Sequence, residues 1–257
     1  MTNKEEIKNA ILASFAPNDT DKKPKKVSPE EYKKKMDAVR AKDRELALSA
    51  QKEIRDRDIQ RMYDMLPDRF RLAEASNIPQ VQERLNRMGT GKGLHKTSIA
   101  FLGVVGAGKT WAAYGYLLDA VRAGVVYPDQ VEILTESALA SISRAGFAKE
   151  EKMNALLSNK NRFFIVDDVG QAGFKDESTR NDVWFELVDH IYRNNLTLVI
   201  TTNLPVKGES NRLQAYLGSA VYSRLMSLTG GDFIVPGRFD RRPEVLTQME
   251  NGTYKAM

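Results

Sequence analysis

The sequence has no cysteine and only two histidines, His95 and His190. This excludes a disulfide framework, a thiol nucleophile and a cysteine-based zinc module, and it leaves too few imidazoles for a histidine-rich metal centre. No apolar run approaches the roughly 18 residues that a spanning helix needs, so no membrane segment or membrane partner is expected. The first ten residues are polar and charged where a secretory signal would be apolar, and the expectation is a soluble, cytoplasmic protein. Internal repeats and low-complexity tracts are absent as well.

What is present is enough for one large domain with an extension: 257 residues, of which 42% are hydrophobic and can form a buried core. The net charge of +5 permits contact with nucleic acid without requiring it. That charge is unevenly spread. Of the first 60 residues 27 are charged, against 28% for the whole chain, so this part reads as helices and linker rather than a core. In residues 1–15, Thr2-Asn3-Lys4-Glu5 fits a capping box, and Ile7, Ile11 and Phe15 fall on one stripe of a helix too short to stand without a partner. Residues 16–28, with Pro17, Pro24 and a lysine cluster, read as a flexible linker.

Ser28-Pro29-Glu30-Glu31 then starts a helix with a capping serine, a first-turn proline and acidic residues at the positive end. The pattern predicts a charged helix over residues 29–65, stopped by Pro67 and on the order of 50 Å long. Its incomplete apolar stripe (Tyr32, Met36, Val39, Leu46, Ala50, Ile54) fits an exposed spacer as well as an arm that contacts a protein partner or DNA. From residue 66 the texture changes. Strands are predicted at Thr97–Leu102, Gln130–Leu134, Arg162–Val166, Leu196–Thr201 and Asp232–Val235. Helices are predicted near Thr110–Ala123, Glu136–Arg144, Lys149–Leu157, Ser178–Asn194 and Asn211–Leu228. This alternation predicts an α/β core over residues 66–243, a parallel five-stranded sheet with helices on both faces, followed by a tail over 244–257.

Four segments carry chemistry. Gly103-Val104-Val105-Gly106-Ala107-Gly108-Lys109-Thr110 matches G-x-x-x-x-G-K-[ST] in full, between an apolar strand and a helix. In such a loop the backbone N–H groups of Val104 to Gly108 curl around phosphate oxygens. Lys109 reaches the β- and γ-phosphates, and the Thr110 hydroxyl ligates magnesium. Arg162–Val166 is an apolar strand leading into Asp167-Asp168, where Asp167 would hold Mg²⁺ and Asp168 would orient or deprotonate the attacking water. Leu196–Thr202 is a further buried strand leading into Asn203, which can bridge that water and the γ-phosphate or simply cap the turn before Leu204-Pro205. Arg224, in Tyr222-Ser223-Arg224-Leu225, is a candidate for neutralising the γ-phosphate of a neighbouring subunit; a surface salt bridge is the alternative.

The order of phosphate loop, Asp-Asp strand, Thr-Thr-Asn strand and Ser-Arg-Leu resembles the AAA+ ATPases. Within them it is most similar to the DnaC/DnaI helicase loaders and the related IstB transposition ATPases. Leu66-Pro67-Asp68-Arg69-Phe70-Arg71 resembles the Pro-x-Arg-Phe start of that ATPase domain, and Gly237-Arg238-Phe239-Asp240-Arg241 its closing Gly-x-x-x-Arg. The resemblance covers residues 66–243. It implies a P-loop AAA+ core without a separate lid domain and with a helical N-terminal extension. It also implies ATP and Mg²⁺ as ligands, and self-assembly into a ring or spiral with Arg224 acting in trans. The implied partners are a replicative DNA helicase, bound through residues 1–15, and single-stranded DNA, with hydrolysis as the release switch. Alternatives are an IstB-like transposition ATPase on duplex DNA and a nucleotide-binding scaffold with negligible turnover. The family's usual Asp-Glu is Asp167-Asp168 here, and the shorter second carboxylate implies slow hydrolysis that serves as a timer. Arg238, Arg241 and Arg242 are candidates for a second sensor. The small size fits an accessory factor of the kind phages and mobile elements encode.

Overall fold

A computed structural model describes residues 28–90, 97–158, 160–206 and 211–237. The expected helix of residues 1–15, the linker up to Val27, Arg238, Arg241, Arg242 and the tail lie outside the described residues. Contacts divide the chain into two compact units, Met1–Glu53 and Ile54–Met257.

In the first unit the described part is the larger share of helix α1, Pro29–Met65. The Ser28 hydroxyl accepts from the Glu31 N–H at 3.2 Å, so the helix starts at its predicted cap. No described residue before Ile54 is buried, which follows from an apolar stripe too sparse to form a seam.

In the second unit the end of α1 buries Met62, and a single 3₁₀ turn follows at Asp68–Phe70. The remaining helices are α2 (Pro79–Gly89), α3 (Lys109–Arg122), α4 (Glu136–Ser143), α5 (Lys149–Leu156), α6 (Glu177–Arg193), α7 (Arg212–Leu217) and α8 (Ser219–Thr229). The strands are β1 (Ile99–Leu102), β2 (Val131–Thr135), β3 (Phe163–Val169), β4 (Thr197–Thr202) and β5 (Phe233–Ile234). They pair in parallel in the order β2-β3-β4-β1-β5.

Side chains of successive strand residues go to opposite faces, and both faces are covered. Phe101, Phe163, Ile165 and Val199 pack with α1, α2 and α3, whereas Ala100, Phe164, Val166, Leu198 and Ile200 pack with α4 to α8. Phe163 and Phe164 are both fully buried, each worth about 2–3 kcal/mol by area. Arg84 of α2 is one of the charged side chains that are buried. It carries a charge into the core and spends it on Thr229 O (3.0 Å) and Asp232 (2.7 Å), tying α2 to the lead-in of β5.

The helix predicted over Asn211–Leu228 is two helices. Asn211 caps α7 by accepting from the Gln214 N–H at 2.9 Å, and Gly218 (φ 80°, ψ 154°) breaks the chain before α8. Helix α2 lay outside the predicted elements, although Pro79 sits in its first turn and Val81, Leu85 and Met88 form its buried stripe. Strand β3 also runs three residues further than predicted, through Asp167 and Asp168 to Val169. The extension places both carboxylates inside the sheet ladder rather than beyond it.

Candidate nucleotide-binding site

Strand β1 lies between β4 and β5, while the chain leaves it by α3 for β2 at the far edge. Crevices at such switch points, at the carboxyl ends of the strands, are where open parallel sheets bind ligands. Three segments converge there: the loop after Leu102, the end of β3 and the end of β4.

The loop has positive φ at Gly103 (140°), Gly106 (81°) and Gly108 (82°). A β-carbon on Gly103 would come within 3.3 Å of the Ala107 side chain, whereas Gly108 has open space around it and is required by its backbone angle alone. Gly108 is the left-handed cap of α3, and the loop's N–H groups and the positive helix end together form an anion cradle. Val104 and Val105 are exposed on its outer side. Lys109 is buried, and its ammonium donates to Val104 O across the loop at 2.8 Å. From beneath, Phe70 packs on Tyr114 of α3 at 4.6 Å and edge-on to Trp111 at 6.2 Å, with the Arg69 guanidinium over the Phe70 ring. The Leu66–Arg71 stretch is thereby stacked behind the first turns of α3. Burial, then the nearby Asp167 charge, pushes the Tyr114 hydroxyl up to about 12, with Arg69 opposing.

Asp167 and Asp168 occupy a bulge. Val166 pairs with Ile200 and Val169 with Thr202, so two residues of β3 face the single residue Thr201 of β4. The bulge gives Asp168 a positive φ of 60°, uncommon without glycine, and exposes its side chain while Asp167 stays buried. The Thr110 hydroxyl donates to Asp167 Oδ1 at 3.0 Å, and the Thr201 hydroxyl donates to the same oxygen. Thr201 Oγ1 in turn accepts from the Asp168 N–H at 2.9 Å. Burial raises the Asp167 carboxyl above the usual range; the Thr201 bond opposes this, the Asp168 charge adds to it, and the Thr110 bond again lowers it. A hydroxyl and a carboxylate that converge beside a phosphate cradle are the hard oxygen donors Mg²⁺ takes, so the residues fit the ion.

The residues after β3 are held by Glu136, at the start of α4. Its side chain is fully buried. Oε2 accepts from the N–H groups of Gly170 (2.7 Å), Gln171 (3.2 Å) and Ala172 (3.1 Å) and from the Tyr216 hydroxyl (3.0 Å). Oε1 accepts from the Trp184 indole at 2.9 Å. Burial and the Glu136 charge raise the Tyr216 hydroxyl well above its ordinary range, so it remains a donor.

Of the residues expected from the sequence, Thr110 and Asp167 are joined by a direct hydrogen bond, and Asp168 joins them through Thr201. Lys109 closes back on the loop that precedes it. Asn203 follows β4, and its buried Oδ1 has no hydrogen-bond partner among the described residues. Arg224 stands on α8 in contact with α6: its Nε donates to Asp189 Oδ1 at 3.0 Å and its guanidinium lies 4.6 Å from the centre of the Phe185 ring. Within its own chain Arg224 therefore makes the salt bridge that the sequence left as an alternative. Sequence reasoning missed Thr201 and Glu136. The first stands in the Thr-Thr-Asn run without a role of its own, and the second has no signal beyond being acidic at a helix start.

Among curated proteins, none matches the sequence. Similar solved structures include DnaI, at 17% identity over 69% of this chain and 94% of that one, with a TM-score of 0.50. A second is the DnaC helicase loader, at 18% identity over 63% and 96%, TM-score 0.46. A third is AMPPCP-bound DnaA from Aquifex aeolicus, at 19% over 72% and 54%, TM-score 0.45. The DnaI likeness is one of fold, a parallel sheet between helices. The family model described as IstB-like ATP binding protein matches residues 80–229. That span runs from α2 to the end of α8 and takes in the phosphate loop, the bulged aspartates and Asn203, and the chain belongs to the family of IstB-like ATP-binding proteins.

Proposed function

We propose that this protein is an ATP-hydrolysing replicative helicase loader, which holds the helicase through residues 1–15 and single-stranded DNA through an oligomer of its ATPase core. The phosphate cradle of residues 104–108 binds the triphosphate. Lys109 swings from Val104 O to the β- and γ-phosphates, and Thr110 and Asp167 hold Mg²⁺, which supplies charge neutralisation on the phosphate oxygens. Asp168 accepts a proton from the attacking water. The buried Oδ1 of Asn203, without a hydrogen bond among the described residues, supplies the acceptor that orients that water. Arg224 leaves Asp189 to meet the γ-phosphate of the next subunit. Hydrolysis is slow and acts as the release switch.

The observation that favours single-stranded over duplex DNA is Phe147. It is fully exposed in the turn between α4 and α5, with Arg144, Lys149 and Lys152 in the same stretch. A bare ring supports stacking on unpaired bases, which a duplex does not offer. The transposition reading rests on the family match, whose model is named for IstB.

The test is the native mass of mixtures with a replicative helicase and ATP, for the full chain and for a chain lacking residues 1–15. A stoichiometric complex lost on deletion supports the loader reading; no complex, together with ATP-dependent filaments on duplex DNA, overturns it in favour of the transposition ATPase. Lys109→Ala is expected to abolish ATP binding, and unchanged affinity in equilibrium binding would remove the assignment of the phosphate cradle. Arg224→Ala is expected to leave ATP binding intact and to lower assembly-dependent hydrolysis; equal rates with and without Arg224 would refute its action in trans.

A further inference from the structure

We propose that Thr201 is a positioning residue for the two aspartates, acting through its hydroxyl and not through its packing. The inference rests on the roles proposed above for Asp167 and Asp168.

A regular parallel ladder would present one of these carboxylates to each face of the sheet. The bulge instead places two residues of β3 against Thr201 and puts Asp168 into a left-handed backbone conformation. Such a conformation costs on the order of 1–3 kcal/mol in a residue other than glycine, and persists only where its surroundings hold it. The Asp168 N–H is held by the Thr201 hydroxyl at 2.9 Å. A hydroxyl has one proton to give, and Thr201 gives it to Asp167 Oδ1. One fully buried group therefore fixes the backbone of one carboxylate and the side chain of the other. Its orientation is determined on both sides, because acceptance from an N–H leaves its proton for the carboxylate. Thr110 donates to the same Oδ1 from the phosphate loop, so Thr201 completes a chain from loop to bulge. Apolar packing at this position could be supplied by valine, which has the same shape. The two hydrogen bonds could not.

The experiment uses the full chain and four proteins: wild type, Thr201→Val, Thr201→Ser and Asp168→Asn. The readouts are kcat and KM for ATP hydrolysis, and the magnesium concentration giving half-maximal ATP binding. Thr201→Val is expected to lower kcat on the order of 10²-fold with KM little changed. It should also raise the magnesium midpoint by about 10-fold or more, the usual consequence of removing an outer hydrogen-bond partner of a metal ligand. Thr201→Ser keeps the hydroxyl and should stay within a few-fold of wild type in both readouts. A structural role predicts the reverse ranking, since valine preserves the packing and serine loses a methyl. The proposal is overturned if valine keeps both kcat and the magnesium midpoint, or if serine loses as much as valine. Should the valine protein fail to fold, the serine protein decides: wild-type kcat and midpoint support the hydroxyl role, and their loss overturns it. Asp168→Asn separates the underlying reading. If it hydrolyses ATP like wild type, the role of Asp168 is wrong; if it is impaired while Thr201→Val is not, only the role of Thr201 is wrong.

Discussion

Glu136 offers the sharpest test of how this core holds its nucleotide site. Its carboxylate accepts five hydrogen bonds, from Gly170, Gln171, Ala172, Trp184 and Tyr216, in a position without solvent exposure. Three of the five donors are backbone N–H groups of the loop that leaves β3 immediately after the aspartate bulge. In Glu136→Ala the space left by the carboxylate admits a water, which can accept from two of these five donors. The three left over cost about 1–3 kcal/mol each, so the expected loss of stability is at least about 3 kcal/mol. Glu136→Gln keeps one acceptor oxygen for the backbone trio. Its amide then faces the Trp184 N–H, donor against donor, at a cost of about 1–3 kcal/mol. Urea unfolding followed by tryptophan emission is the assay, because Trp184 reports on this cluster directly. With a urea dependence of about 1–3 kcal/mol per molar, the alanine midpoint should fall by at least about 1 M and the glutamine midpoint by less. A glutamine midpoint equal to wild type, or an alanine protein more stable than the glutamine one, would refute the reasoning.

Other consequences are simpler to state. Gly115 lies in the interior of α3, where alanine ordinarily stabilises a helix, but a β-carbon there would stand 2.6–2.9 Å from the backbone of Glu74 and Ala75. Gly115→Ala should therefore destabilise by about 1–3 kcal/mol in thermal or urea unfolding, and a gain would contradict the close approach. Partial burial lowers the His190 imidazole below its ordinary value of 6.5, against the opposing Asp189 charge. The unfolded chain thus binds this proton first, and stability falls as pH drops through 6.5 towards the folded value. His190→Gln should flatten that part of the stability–pH curve, and an unchanged slope would remove the assignment. Gly170→Ala combines a φ of 96° with a β-carbon 2.7 Å from Leu204, and should lower the unfolding midpoint as well.

The phosphate loop, the five strands and most of the helices were legible because each rests on local constraints. Glycine at positive φ, a proline in a first turn, a capping serine and short continuous apolar runs restrict the chain before any tertiary contact forms. Helix α2 carries such signals as well, in Pro79 and the spacing of Val81, Leu85 and Met88. Gly218 is different. The apolar pattern continues on both sides of it, and the reversal there is set by how α7 and α8 each meet the core.

The sequence by itself determined the identity of the phosphate-binding segment, the succession of the five strands and most of the helices, and the polar residues near the ends of β3 and β4. Only the tertiary structure decided that Asp167 and Asp168 share one bulge, that Thr201 ties them together, and that Glu136 anchors the loop after them. These bonds join residues 33 to 80 positions apart. Their partners are selected by the register of β3 on β4 and by the packing of α4, α6 and α7 on the sheet. A backbone angle is a property of a residue and its neighbours, and can be read in sequence. A buried donor takes whichever acceptor the assembled core brings within reach, and that becomes known only when the core is assembled.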